Sequence, residues 1–530
     1  MQHSRNDGLA LNSIQVGLIS TTMAQRWGEY IICLFASSCN LTFIYSNDCP
    51  RPGFDEGEDG ILTPVPPPPH FERRPIQDEF SGLVMNIVAP SLRSEELVPV
   101  MVYVHGGSLL YGGANLPIFD AVNLVSLAVS ECKPILCVNF NYRVGLGGFL
   151  ASKAIQEELR AHGYEGCGNF GFTDQQVALQ WVQRYIMQFG GDPEQVTLVG
   201  ESAGGISISN QLLAAQPSKF NRAICMSGLA TSIPAWTLEQ HEILFRGVCK
   251  HFSIDYDGPN VMDQLRLIGQ SELAEATPAI QGVESGTGNP CLDGWFYAED
   301  PRSIHAAPEW LESYMVGDVY HEGVIFSMNI MNETYASVRK TLLEFIEDET
   351  QLKTILDAYD ISPEQNQTDF LATVEHMAGD AVFKVPNYAT ALANERLRAD
   401  GKLFLYHFDQ QSQLHNELEG TAYHAYELLY LFGNLDDKMD NYERTLANQF
   451  ALAWIDFVRG EAPWEEPSPK WKVWGPQGKM GLMEESDDEA VRRYGRMSQL
   501  LEMDNGQTWK KWLLGVDALV NQRKNMWSRS

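Results

Sequence analysis

Short apolar runs, separated by longer amphipathic stretches, dominate the chain between residues 83 and 408. The runs are rich in β-branched residues and nearly free of charge, which is typical of strands buried on both faces of a sheet. They lie at residues 83–89, 98–104, 134–142, 196–199, 222–226 and 402–408. Because helical periodicity separates them, as at 174–188, the pattern predicts an α/β protein with a mostly parallel central sheet and helices on both faces.

The remaining pattern predicts one large domain with a helical cap region. Residues 235–400 are mainly helical in periodicity and are expected to include a cap over the sheet, and helices are expected over most of 440–525. Neither an internal repeat nor a long linker divides the chain, so we expect a single α/β domain at 47–530.

Residues 1–46 are expected to form an irregular N-terminal segment. The uncharged stretch 30–46 is long enough for a signal or anchor segment, but it lies late in the chain and lacks a basic flank. A buried strand pair or an irregular stretch fits it better. The sequence therefore contains no clear membrane anchor or secretory signal.

Charge and cysteine spacing exclude several classes of partner. Lys and Arg number 38 against 69 Asp and Glu, which gives a formal net charge of −31. So acidic a surface argues against nucleic acids and anionic membranes as partners. The nine cysteines do not have the spacing of metal ligands, so we expect no metal site; they are Cys33, Cys39, Cys49, Cys132, Cys137, Cys167, Cys225, Cys249 and Cys291.

A candidate nucleophile follows the apolar run at 196–199. The sequence GESAG at 200–204 matches G-x-S-x-G, the pattern of a nucleophile elbow between a strand and a helix. The sharp turn needs glycine on both sides, and it would expose the Ser202 hydroxyl for attack on a carbonyl carbon. The N–H of Ala203 would then face the developing oxyanion. By itself the pattern also fits a glycine-rich turn.

A second glycine pair follows the apolar run at 98–104. His105, Gly106 and Gly107 come directly after that run, and the two glycines would let the backbone approach a substrate closely. Together with Ala203 they would supply an oxyanion hole of backbone N–H groups. A phosphate-binding loop is disfavoured because no Gly-Lys-Ser/Thr sequence follows.

A serine nucleophile needs a base and an orienting acid, which in this chain order follow the serine. Glu322 and Asp318 are both candidate acids, since they lie near the end of a predicted strand. His407 lies inside an apolar run and is expected in the core. The candidate bases late enough in the chain are His376, His407, His415 and His424.

Several longer motifs closely resemble the type-B carboxylesterase family, which includes the cholinesterases. They are GNFGFTDQ at 168–175, ALQWV at 178–182, FGGDP at 189–193, GESAG at 200–204 and NYR at 141–143. The resemblance extends from about residue 80 to at least 435. It implies the α/β-hydrolase fold, hydrolysis of a small-molecule ester by a Ser–Glu–His triad, and neither a metal nor an organic cofactor.

The resemblance also selects among the candidate residues. The family's D-E-G-x-x-F motif corresponds to HEGVIF at 321–326, with His321 in place of Asp, and it indicates Glu322 as the acid. The family's histidine motif corresponds to HAYELLYLFG at 424–433 and indicates His424 as the base. The substrate pocket expected from the resemblance includes Glu201, Gly286, Gly288, Ile325 and Phe326.

The chain departs from the family where disulfides are expected. The family's N-terminal hairpin is absent from residues 1–50, and the loop cysteine that would pair with Cys49 is missing near 80–86. Cys249 keeps one half of the next family disulfide, but Gln264 occupies the position of its partner. We therefore expect reduced cysteines and an intracellular enzyme, with secretion as the alternative.

The sequence as a whole predicts a serine carboxylesterase. The alternatives are an acyltransferase or biosynthetic esterase with the same triad, and a non-catalytic adhesion or scaffold protein of the same family. No tryptophan occurs between Trp27 and Trp181, where acetylcholinesterase supplies one, so choline esters are expected to be poor substrates. Gly286 and Gly288 stand where the acetyl-selective enzyme has phenylalanines, which predicts an open acyl pocket and a preference for longer acyl chains.

Overall fold

The sheet is the element that positions the site. The computed structural model of the 530-residue chain describes residues 11–17, 65, 82–90, 96–280, 288–435, 438–465 and 470–520. The strands are β1 (Leu11–Gly17), β2 (Val84–Pro90), β3 (Val98–Val104), β4 (Leu136–Phe140), β5 (Gly191–Glu201), β6 (Arg222–Met226), β7 (Ser313–Val319), β8 (Leu403–Phe408), β9 (Trp471–Trp474) and β10 (Met480–Met483).

These ten strands form one sheet in the order β1-β2-β4-β3-β5-β6-β7-β8-β9-β10. All pairings from β4 to β9 are parallel, whereas β1 with β2, β2 with β4, and β9 with β10 are antiparallel. The predicted mostly parallel sheet is confirmed. Parallel strands end at the same edge, so the residues that follow β3, β5, β6 and β7 are brought together.

Helices cover the sheet between and after the strands. In the first half of the chain they are α1 (Val122–Ser130), α2 (Gly145–Phe149), α3 (Lys153–Ala161), α4 (Phe170–Tyr185), α5 (Ala203–Leu212), α6 (Leu238–His251), α7 (Val261–Leu265) and α8 (Gln270–Ile280). In the second half they are α9 (Ser327–Ile330), α10 (Tyr335–Leu343), α11 (Glu349–Ala358), α12 (Gln367–Gly379), α13 (Val385–Ala393), α14 (Glu395–Ala399), α15 (Glu427–Phe432), α16 (Asn441–Val458), α17 (Glu485–Arg492), α18 (Tyr494–Glu502) and α19 (Gln507–Val520).

Both faces of the sheet are buried, as the uncharged strands predicted. In β3, Val100, Val102 and Val104 belong to one core, together with residues of α4, α5 and α19. Met101 and Tyr103, which point the other way, belong to a second core with residues of α1, α15 and α16. In the region where a helical cap was expected, α6, α7 and α8 pack around a smaller core of their own.

Two parts of the chain differ from the expectation. Within the segment 1–46, which was expected to be irregular, residues 11–17 form the edge strand β1, and the other residues of that segment lie outside the described part of the chain. The region 440–525 was expected to be helical, but it also contributes β9 and β10 to the sheet. These strands have only four residues each, too few for a clear alternation of apolar and polar positions.

No helix in the described ranges is both long and apolar enough to cross a lipid bilayer.

Candidate active site

The turn after β5 holds Ser202 in a strained backbone conformation. Ser202 has φ 54° and ψ −124°, between the last residue of β5 and the first of α5. A Cβ at Gly200 would lie 2.5 Å from the carbonyl carbon of Gly204, and a Cβ at Gly204 would overlap the Val104 carbonyl oxygen. Glycine is therefore required on both sides of the turn, which is the geometry predicted for a nucleophile elbow.

The glycine pair after β3 lies beside this turn. A Cβ at Gly106 would be 3.2 Å from the Ser202 Cβ, so the Gly106 backbone directly adjoins the serine. Gly107 has φ +108°, a value that favours glycine. Ala203 is fully buried at the start of α5. Gly106 and Ala203 therefore adjoin Ser202 directly, and Gly107 is the next residue after Gly106.

Glu322 and His424 are buried in direct contact. Glu322 opens a 3₁₀ turn, Glu322–Phe326, three residues after the end of β7. Its Oε2 atom lies 2.5 Å from Nδ1 of His424. Its Oε1 atom accepts hydrogen bonds from the Val319 N–H at 2.9 Å and the Ser227 hydroxyl at 2.7 Å. Both carboxylate oxygens are therefore occupied, and the carboxylate is held in one orientation towards the imidazole.

The other ring nitrogen of His424 faces the turn that carries the serine. Nε2 lies 3.1 Å from Oε1 of Glu201 and makes no hydrogen bond to a described residue. The ring of Phe383 packs against the imidazole with a centroid separation of 4.8 Å. His424 is thus enclosed by Glu322, Glu201 and Phe383, with Nε2 directed away from Glu322.

The rival acid Asp318 lies on β7 but faces a different histidine. Its carboxylate is 2.8 Å from Nδ1 of His407 and 3.2 Å from Arg492. Burial raises the pKa of Asp318, but His407 and Arg492 outweigh it and lower this pKa to about 2. Asp318 therefore belongs to a buried ion-pair network.

The other candidate histidines are not at the serine turn. His407 is buried within β8, as expected for a core residue, and His415 is exposed. His376 on α12 stacks on His321 with a centroid distance of 4.2 Å, and burial together with His321 lowers the pKa of His376 to about 4.

Comparison with known proteins decides the class. A model of the carboxylesterase family matches residues 49–502. The chain belongs to the carboxylesterase family. It is therefore a carboxylic ester hydrolase of the α/β-hydrolase fold, which confirms the expected fold and enzyme class.

Individual carboxylesterase relatives agree with this assignment. The chain is 29% identical to lipase 3 of Yarrowia lipolytica over 416 residues, covering 77% of the chain and 76% of the relative. It is 28% identical to para-nitrobenzyl esterase of Bacillus subtilis over 422 residues, covering 76% and 79%. A solved thermophilic pNB esterase aligns with a TM-score of 0.65 at 25% identity, covering 86% of this chain and 89% of that one.

A second buried carboxyl group lies behind the Glu322 of this carboxylesterase. Glu427, at the start of α15, is fully buried, and one of its oxygens lies 3.5 Å from the Ser227 hydroxyl. Burial and the nearby Glu322 raise the pKa of Glu427 well above its usual value. The shift favours the neutral form of the Glu427 carboxyl group, which would avoid a second negative charge beside Glu322.

Sequence reasoning missed two residues of this carboxylesterase site, Ser227 and Phe383. Ser227 directly follows β6, so its position at the carboxyl end of a parallel strand was the available signal.

Phe383 lies in a π-helical turn at Asp380–Lys384. Pro386 has no N–H for the Val382 carbonyl, which instead accepts a hydrogen bond from the Ser232 hydroxyl at 2.6 Å. The proline in an otherwise helical stretch was the signal here.

The expected pocket residues of the carboxylesterase are placed only in part. Glu201 lies beside His424, while Ile325 and Phe326 follow Glu322 in its 3₁₀ turn, with the Phe326 ring stacked on Phe383 at 6.3 Å. Gly286 is outside the described residues. Gly288 is buried.

Gly288 does not adjoin an empty space. A Cβ there would lie 2.6 Å from the Leu109 carbonyl oxygen and 3.0 Å from the Phe149 ring. Its missing side chain therefore reflects close packing against Leu109 and Phe149.

Proposed function

We propose that this carboxylesterase cleaves esters through an acyl-enzyme on Ser202, with His424 as the base and Glu322 as the acid that orients it. The observation that carries the proposal is the 2.5 Å contact between Glu322 Oε2 and His424 Nδ1. Such a contact fixes the orientation of the ring, with Nε2 directed away from Glu322 and available to act as the base. That nitrogen is on the side of the ring where residue 201, the neighbour of Ser202, is located.

In the proposed reaction His424 Nε2 takes the proton of the Ser202 hydroxyl as its oxygen attacks the ester carbonyl carbon. The negative charge on the carbonyl oxygen would be stabilised by the N–H groups of Gly106, Gly107 and Ala203, each worth roughly 3 kcal/mol. His424 then gives its proton to the departing alcohol oxygen. Water, activated by the same histidine, releases the acid from Ser202. Glu322 stabilises the charged imidazolium throughout.

Replacement of the nucleophile tests the proposal. Ser202→Ala should lower kcat for p-nitrophenyl butyrate by roughly 10⁴-fold or more, with unchanged circular dichroism and thermal midpoint. A serine-directed organophosphate should add one adduct mass to the Ser202 peptide of the wild type. Ser126→Ala, on α1 away from the site, is the matched control and should keep full activity. A Ser202→Ala variant with more than about a tenth of wild-type kcat would remove Ser202 from this role.

We also propose an intracellular location, in a reducing compartment. The six cysteines among the described residues are free thiols, including Cys249, whose family partner position holds Gln264. Mass analysis of the isolated protein after alkylation without reductant should find alkylated thiols throughout. A stable bridge at Cys49 or Cys249 would instead indicate an oxidising compartment.

A further inference from the structure

Two buried thiols from distant parts of the chain lie side by side. The Sγ atoms of Cys167 and Cys291 are 3.9 Å apart, although the residues are separated by 124 positions in the sequence. Neither side chain has any exposed surface, and both pack against Ala151 in a small core of their own. Cys167 lies in the turn before α4, and Cys291 lies in the segment that follows Gly288.

The backbone around both thiols is already fixed in position. The Asn169 side chain donates to the Cys291 carbonyl oxygen at 2.8 Å and accepts from the Cys291 N–H, also at 2.8 Å. Gly168 lies between Cys167 and Asn169, and a Cβ there would lie 3.1 Å from the Cys291 Cβ and 2.8 Å from the Ala151 Cβ. The glycine therefore allows the two segments to approach until the sulfurs are 3.9 Å apart, and these must come closer by about 2 Å to form a disulfide.

We propose that Cys167 and Cys291 are a redox-active pair that closes into a disulfide under oxidising conditions and reopens when reduced. The closed bond would join the start of α4 to the segment around Cys291. Besides the bonds to Asn169, two backbone hydrogen bonds to Trp236 hold that segment. They run from the Trp236 N–H to the Pro290 carbonyl and from the Leu292 N–H to the Trp236 carbonyl, each 2.8 Å long. The bond lies outside the Ser202 site, and its formation does not depend on the function proposed for that site.

The oxidant required is a small-molecule disulfide, represented by oxidised glutathione. One cysteine thiolate attacks a glutathione sulfur, forms a mixed disulfide and releases one glutathione thiolate. The second cysteine thiolate then attacks the bound cysteine sulfur and releases the other glutathione. Two S–H bonds of the protein are lost and one S–S bond forms. Oxidised glutathione takes up the two electrons and two protons.

Burial of both cysteines makes thiol–disulfide exchange slow in the native state. The hydrogen bond with Cys167, and burial, raise the pKa of the Cys291 thiol, so little of the reactive thiolate is present. Oxidation is therefore expected to proceed through local opening, with a rate that rises on warming or in low denaturant. Once formed, the bond closes a loop of 124 residues and restricts the unfolded chain.

The test is peptide mapping of the full chain after incubation with oxidised glutathione at a temperature below the unfolding transition. Remaining thiols are blocked with N-ethylmaleimide, and the protein is digested without reductant. We expect a peptide pair joined through Cys167 and Cys291 that disappears on treatment with dithiothreitol. Recovery of both cysteines as separate N-ethylmaleimide adducts, or of either joined to another cysteine, would overturn the proposal.

Thermal unfolding supplies an independent readout. The oxidised wild type should unfold about 4 °C above the reduced wild type. Cys167→Ala and Cys291→Ala should each abolish this difference, whereas Cys249→Ala, at a buried cysteine in the core of α6, should keep it. Because the mapping uses the wild type alone, a variant that fails to fold leaves the proposal testable. An oxidised wild type with the bond but no rise in the midpoint would contradict its stabilising role.

Discussion

Glu322 and His424 meet through a 2.5 Å contact between Oε2 and Nδ1, although the two residues are 102 positions apart in the chain. Asp318, on the strand just before Glu322, contacts His407 instead. Two buried carboxylates at the end of β7 thus serve different histidines. Glu322 contacts the histidine that lies beside the serine turn, and Asp318 ties the sheet to α17 through Arg492.

This division predicts opposite phenotypes for two matched substitutions. Glu322→Gln should lower kcat by about 10³–10⁴-fold with an intact fold, because the amide neither holds the required ring tautomer nor stabilises the imidazolium. Asp318→Asn should change kcat less than tenfold but lower the thermal midpoint, since Arg492 and His407 lose a charged partner in the interior. Steady-state kinetics and calorimetry on both variants check this, and the reverse ranking of kcat would move the acid to Asp318.

Acid stability should also depend on Asp318. Its folded pKa is about 2, below the usual value of 3.8. A depressed carboxyl pKa stabilises the fold above the unfolded value, and this stabilisation is lost as pH falls from about 4 to 2. We expect a loss on the order of 2 kcal/mol over this window in the wild type and a shallower dependence in Asp318→Asn. Urea unfolding at a series of pH values measures both slopes, and equal slopes would contradict the assignment.

How much of the fold and the site can be predicted from the sequence depends on whether the deciding interactions are local or join distant parts of the chain. The apolar strand 98–104 and the elbow at 200–204 are recognisable because local patterns dictate them. The strand is a continuous apolar run, and the elbow needs close backbone approach at Gly200 and Gly204. Glu322 and Asp318 could not be separated by pattern alone, because the choice depends on which histidine each one faces across the fold. The family motif was needed for that step.

Residues that act through a neighbour were the ones missed. Ser227 carries no motif, and its role appears only when β6 and β7 lie side by side and its hydroxyl reaches Glu322. Phe383 reaches His424 because a π-helical turn alters the helical register, an effect with no simple periodicity.

Glu427 provides a prediction about the neutral acid behind Glu322. Its raised pKa favours the protonated carboxyl group in the folded state, so this stabilisation is present at low pH and is lost as pH rises through the folded pKa. Glu427→Gln imitates the neutral form and should keep kcat within about threefold. It should also be more stable than the wild type in alkali.

Truncation at the same position is the contrast. Glu427→Ala leaves a cavity beside Ser227 and should lower kcat more than tenfold, through displacement of the Glu322 carboxylate. Kinetics from pH 6 to 10 and unfolding at both ends of this range provide the measurements. Equal losses of kcat in the Gln and Ala variants would contradict this prediction, because they would show that activity needs the negative charge of Glu427.

Gly288 distinguishes two explanations of acyl-chain preference. If Gly286 and Gly288 leave space in the acyl pocket where the acetyl-selective enzyme has phenylalanine rings, the wild type should favour butyrate over acetate. The structure indicates a different reason why residue 288 is glycine, since a Cβ there would meet the Leu109 carbonyl oxygen at 2.6 Å. That oxygen also accepts the Gly145 N–H at 2.7 Å, and Leu109 follows closely after Gly107.

Gly288→Ala should therefore displace Leu109 and disturb the backbone beside the proposed oxyanion hole. We expect kcat/KM to fall about tenfold for p-nitrophenyl acetate, butyrate and octanoate alike, which corresponds to roughly 1.4 kcal/mol of transition-state stabilisation. Gly147→Ala is the matched control, because a Cβ at Gly147 meets no atom within 4 Å. If Gly288 instead lined an open acyl pocket, alanine would narrow it and penalise octanoate while sparing acetate. A selective loss with octanoate would thus refute the packing explanation and restore the open pocket.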